Sequence, residues 1–161
     1  RPPAHGHRQS GMIYREATAA DVTPQGIGLL ATAMSEVELG QEPMCPVRSV
    51  ETMLRMVQDP NHLVAVSDND GVLTGVIIGS VADSMFSDSV FATMHVWYVR
   101  PEDRGSWTGF RLARIYRDWA KMAGATTAYF DVNSGVDNRM AGGLAQRLGF
   151  RHIGDTYKVA F

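Results

Sequence analysis

The chain has 161 residues, 45% of them apolar and 20% charged, with a net charge of −2. That length suits one domain burying roughly 70% of its unfolded surface, and the near balance of charge gives no global sign of a nucleic-acid or membrane partner. One cysteine excludes an internal disulfide and fits a reducing, cytoplasmic setting, while no apolar run approaches the ~18 residues of a membrane span.

Residues 1–11, RPPAHGHRQSG, are polar, rich in proline and glycine and without periodicity. They lack the apolar core of a signal peptide and read as a disordered tail or a leftover of cloning, with Met12 as the native start and a domain over 12–161. His5 and His7 on such a tail make a weak metal site, and no metal is expected. MIYREA (12–17) alternates as a strand does. Thr18 or Asp21 can then cap a helix to about Leu39, with Ile27, Leu30, Met34 and Val37 as its apolar stripe and Pro24 in its first turns. QEPMCP breaks the chain, and Cys45 within it reads as an idle thiol. Ser49 starts a second helix whose Met53, Leu54, Met56 and Val57 face inward, and Asp59-Pro60 stops it.

HLVAVSD (62–68) and VLTGVIIGSVA (72–82) read as strands joined by a hairpin at Asn-Asp-Gly. SVFATMHVWYV (89–99) is a third long strand. A loop, RPEDRGSWTG, leads into a helix in which Leu112, Ile115, Tyr116, Trp119 and Ala123 recur at helical spacing until Gly124. TTAYFDV (126–132) is a strand, DNRMAGGLAQRLGF a helix ended by Gly149, and RHIGDTYKVAF one or two closing strands. The order predicts an α/β or α+β domain with a mixed, mostly antiparallel sheet flanked by helices.

The loop has the parts of an anion site. The free N–H groups and positive dipole end of the following helix attract phosphate. Arg104 adds a cation with a planar fork of donors, and Gly105 and Gly109 let the backbone come close. Trp107 stands where the smallest residue would be expected. An amide donor needs no particular side chain, so Trp107 obstructs only if its position requires positive φ or its indole meets the ligand. It can otherwise cover an adenine or an apolar surface. Taken alone, the loop is as well explained by a capped surface turn.

YREATAADVTPQGIGLL, VWYVRPEDRGSWTGFRL and DNRMAGGLAQRLGFRHIG follow one another at a spacing that resembles the GNAT superfamily of N-acetyltransferases across residues 12–161. The resemblance implies a splayed strand pair with acetyl-CoA in the gap. It implies that Trp97, Tyr98 and Val99 would bond the pantetheine through their backbones. The amides of Arg104, Gly105, Ser106, Trp107, Thr108 and Gly109 would hold the pyrophosphate. Asn138 matches an asparagine that often contacts the pantetheine arm, although beside Asp137 it equally suits a helix cap. Trp107 departs from the family pattern at the motif's first glycine. Ala145 departs from it where many members carry the tyrosine that protonates the leaving thiolate. Tyr157 and Tyr129 are the substitutes the sequence offers, and both also suit strand aromatics.

The implied reaction is direct attack of a primary amine on the acetyl thioester in a ternary complex, which needs a proton acceptor. His95 lies near where members often carry an acidic residue, and its ordinary pKa suits that task. Strand alternation predicts that His95, Trp97 and Val99 share a face, and a core histidine is the equal alternative. Asp131 and Glu36 are further candidates. Arg111, Arg114, Arg117 and Lys121 form a stripe that reads as a solvated helix face, with at most one reaching the cofactor's 3′-phosphate. Small-molecule and peptide amines both remain open as acceptors, a homodimer is possible, and loss of catalysis with retained CoA binding, or a domain of this shape serving only interactions, are the rival readings.

Overall fold

The computed structural model describes residues 11–37, 43–159 and 161. The histidines of the N-terminal tail, the expected helix end at Leu39 and the first two residues of the QEPMCP break lie outside them. Five strands form one sheet in the order β1-β2-β3-β4-β5. They are β1 (Met12–Glu16), β2 (His62–Asn69), β3 (Val72–Asp83), β4 (Val90–Val99) and β5 (Ala125–Tyr129). The first four pair antiparallel, and β5 joins β4 in parallel.

The β2–β3 hairpin forms because Asp70 and Gly71 both take positive φ, 50° and 89°, as a tight turn matching the twist of its strands demands. Both strands then read as nearly continuous buried runs, because the sheet is covered on each side. On one face the helices α1 (Ala19–Asp21), α2 (Ile27–Ser35) and α3 (Pro46–Met56) close over Val64, Val66, Val76, Ile78 and Tyr98. On the other, α4 (Thr108–Met122) lays Leu112, Tyr116 and Ala120 on Leu63, Ala65, Ile77, Ala92 and Val99. Full burial of such side chains contributes about 1.5–3 kcal/mol each. Gly79 is required by this contact: a Cβ there would lie 2.6 Å from the Tyr116 ring.

Three expected elements differ. The helix predicted from Thr18 or Asp21 onward is interrupted between α1 and α2, because Thr23 adopts extended angles (φ −129°, ψ 140°), the conformation favoured before a proline. Inside α2 the fully buried residue is Leu29, and Met34 of the expected stripe is exposed. Helix α3 starts at Pro46 rather than Ser49, since proline suits a first helical position, and Ser49 donates to the Cys45 carbonyl. The closing strands are absent among the described residues: 151–159 carries no ladder and is exposed throughout. Gly154 and Asp155, poor strand formers, interrupt its alternation.

Helix α5 (Asn138–Arg147) is capped by Asp137, whose carboxylate accepts from the Met140 amide. The β4–β5 ladder runs only from Val90–Ala125 to Thr93–Tyr129. Beyond it β5 ends, and the strands part.

Candidate active site

The parting of β4 from β5 opens a cleft of about 1170 Å³. One wall is β4 from Thr93 to Val99. The other is the Asp131–Ser134 segment with Val136, Met140, Ala141 and Leu144, and Arg104 to Trp107 and Gly109 close one end. Beyond Thr93 the edge of β4 turned toward β5 lacks a ladder partner, so its backbone polar groups are available to a ligand, apart from the Val99 carbonyl, which already accepts from Arg104 Nε. Trp97, Tyr98 and Val99 lie on that stretch and line the cleft. Their side chains are used by the protein itself. The Trp97 indole donates to the Gly109 carbonyl at 3.1 Å and packs edge-on to Phe130.

The loop answers the question that Trp107 raises. Positive φ falls at Gly105, 81°, whereas Trp107 caps α4 with ordinary right-handed angles (φ −74°, ψ −2°). A bulky residue therefore costs the backbone nothing there. Trp107 is 66% exposed, and its indole stacks edge-on against Phe110 of α4. The first-turn amides of α4 have no acceptor within the helix, but one of them, that of Thr108, is taken by Ser106 Oγ. The Thr108 side chain is buried against Tyr14 Oη.

Arg104 departs from its expected part. Its amide donates to the Pro101 carbonyl. Its Nε donates to the Val99 carbonyl, and its Nη2 donates to Glu36. The guanidinium also lies over the Tyr98 ring, 5.4 Å from its centre, and Tyr98 Oη donates to Glu36 at 2.7 Å. Loss of hydration pushes the Glu36 carboxyl up, yet the bonds from Arg104 and Tyr98 outweigh it and hold the group below its ordinary 4.5. Glu36 is thus a poor proton acceptor at neutral pH. Burial, with Glu36 adding to it, pushes the Tyr98 phenol up to about 12. This trio was not foreseen as a unit, because its members stand 62 and 68 positions apart in sequence.

His95 lines the cleft, but not as alternation predicts. Ile78 faces Val96 while Gly79 faces Met94, so His95 is an extra residue in β4, a β-bulge. Ala92 and Met94 before it, and Trp97 and Val99 after it, all pack on the α4 side. Val96 and Tyr98 pack on the other. His95 therefore does not share a face with Trp97 and Val99. Its Nε2 lies 2.6 Å from Ser80 Oγ in β3, and reduced hydration, then His62, press its pKa below 6.5 against the pull of Asp131.

Asn138 does not line the cleft; its Oδ1 accepts from the Gly135 amide and closes the loop before α5. Ala145 is buried in α5. Tyr129 sits against Phe91, and Tyr157 is 90% exposed; neither lines the cleft, where Tyr98 is the one tyrosine among the described residues. Arg111, Arg114, Arg117 and Lys121 are solvated and also lie off the cleft.

No curated protein matches the chain. Solved structures share its fold. Glucosamine-6-phosphate N-acetyltransferase from Arabidopsis thaliana is 13% identical, with a TM-score of 0.74 over 94% of this chain and 99% of the other. A ribosomal-protein-alanine N-acetyltransferase from Brucella melitensis biovar Abortus is 14% identical, with a TM-score of 0.69 over 94% and 99%. An aminoglycoside acetyltransferase from an uncultured soil metagenomic sample, solved with sisomicin, is 13% identical, with a TM-score of 0.69 over 93% and 96%. The model of the GNAT acetyltransferase family matches residues 30–150. That match takes in the loop, both strands that part around the cleft and most of its lining, and the chain belongs to the GNAT acetyltransferase family.

Proposed function

We propose that the protein is an acetyl-CoA-dependent N-acetyltransferase of the cytoplasm, acting on a primary amine by direct attack in a ternary complex, with residues 12–161 as its catalytic domain. The observation that carries this reading is the unpartnered edge of β4 facing the cleft, closed at one end by the amides that open α4. Backbone groups of Trp97, Tyr98 and Val99 would bond the amide-rich pantetheine. The amides of Gly105, Ser106, Trp107 and Gly109 would hold the pyrophosphate, aided by the dipole of a 15-residue helix. The contribution of Arg104 is to latch the loop to Val99 and Glu36.

Acetyl-CoA supplies the activated acyl group. The chain's own work is to hold both reactants together, which can replace several kcal/mol of entropic barrier, and to take the amine's proton. We assign that transfer to His95, which lines the cleft and whose pKa is pressed below its ordinary 6.5. Amino sugars and peptide N-termini head the acceptors to test, because neighbours of this fold carry glucosamine-6-phosphate, aminoglycoside and ribosomal-protein-alanine acetyltransferase names.

The test has two readings on one sample. Millimolar acetyl-CoA should raise the melting temperature, since linkage at 100 times Kd amounts to about 2.7 kcal/mol. A panel of amines should then release free thiol. Stabilisation without turnover on any amine would favour the second reading, a CoA-binding module without catalysis. The burial of Ala145, with neither Tyr129 nor Tyr157 at the cleft, is what favours it.

A further inference from the structure

The bulge in β4 does more than displace a side chain. An inserted residue lies outside the ladder's register, and bulges beside functional clefts commonly re-aim the residue they carry. Here His95 is that residue. Its ring reaches back across the sheet to Ser80 on the neighbouring strand, Oγ to Nε2 at 2.6 Å, while the residue also lines the cleft. The two ring nitrogens are thereby given different surroundings.

A neutral imidazole has one N–H donor and one lone-pair acceptor, and the bond made by one nitrogen decides which form the other takes. We propose that Ser80 is a positioning residue: its hydroxyl oxygen accepts from His95 Nε2–H, which leaves the lone pair on Nδ1 as the proton acceptor for the substrate amine. This deepens the assignment of His95 as base and rests on it. When the amine nitrogen forms its bond to the acyl carbon, its N–H bond breaks and an Nδ1–H bond forms. The Ser80 bond persists through that change and stabilises the resulting imidazolium. The C–S bond breaks with its electron pair on the thiolate, and the imidazolium afterwards gives up its proton to solvent.

The charged groups around the ring come from three directions. His62 of β2 faces Ser80 across the ladder and disfavours a charged His95, while Asp131, past the end of β5, favours it. Asp59 binds His62 Nδ1 at 2.7 Å. Ser80 is an uncharged acceptor among them, so its removal should lower the stability of the imidazolium without changing the net charge of the site.

The test begins with the ligand-free full chain. Long-range ¹H–¹⁵N correlation on histidine-labelled protein should show His95 in the Nε2–H form, and Ser80→Ala should lose that preference. With acetyl-CoA and the best amine of the panel, Ser80→Ala should lower kcat by roughly tenfold, leave the KM for acetyl-CoA unchanged, and move the acid limb of the pH profile to lower pH. Ser80→Thr should restore both. A fold defect alone would lower the activity without moving the limb. An Nδ1–H form in the wild-type protein, or an unmoved limb in folded Ser80→Ala, would overturn the proposal. If His95→Ala retains its kcat, the base assignment itself fails, whatever the tautomer.

Discussion

Trp107 breaks a motif without straining the backbone that carries it. The strained position of the loop is Gly105, and Trp107 holds a relaxed helical geometry with its indole in solvent. If the amide is the bonding group, as proposed, Trp107→Gly should leave CoA affinity within roughly tenfold by calorimetry. Arg104→Glu should cost far more, since it sets a second carboxylate against Glu36 and places an anion beside the loop proposed to hold the pyrophosphate. The reverse ranking would mean that the indole itself grips the ligand. His95→Ala should lower kcat by roughly 10²–10⁴ with little change in CoA affinity. The loss should shrink at high pH, where more amine arrives deprotonated. A merely structural histidine would instead show a lower melting temperature and nearly normal turnover per folded molecule.

Strand β1 is tied to the first helical segment by charge. Arg15 bonds both oxygens of Asp21, at 2.7 and 2.8 Å, and also Asp68 of β2. The bond from Arg15 holds the Asp21 carboxyl far below its ordinary 3.8. A depressed carboxyl contributes stability that is complete above its unfolded pKa and disappears as pH falls toward its folded one. Asp21→Asn should thus cost about 2 kcal/mol in urea unfolding at neutral pH, the range for hydrogen bonds to charged groups. The gap between variant and wild type should close as pH drops below about 4. A gap that persists into acid would assign the loss to packing. Elements of this kind were legible wherever pattern and punctuation agreed: the hairpin at Asp70-Gly71, the amphipathic α4 and the cap at Asp137. They were illegible where a single residue overruled the period. Thr23 before proline split a helix that its apolar spacing predicted whole, and the extra residue in β4 reversed an alternation that the sequence carries without a mark.

At the scale of the molecule, the loop could be read from its own residues, because it is local, and the parting strands followed from the family resemblance of three ordered segments. The Glu36–Tyr98–Arg104 trio and the Ser80–His95 bond could not, because they exist only once distant strands and helices meet. The short join between β4 and β5 has its own consequence. Four register pairs, from Val90–Ala125 to Thr93–Tyr129, link β5 to the rest of the sheet. Past them the two strands diverge like leaves bound along a brief spine, and the proposed acetyl-CoA, bridging the gap, would supply the missing rungs. Amide hydrogen exchange should expose this. Without ligand, β5 and α5 should exchange through openings that sever few backbone bonds, whereas β2 and β3, buried on both faces, should exchange only with global unfolding. Saturating acetyl-CoA should slow exchange at β5, α5 and the free edge of β4 together. Protection confined to any other surface would place the ligand somewhere else.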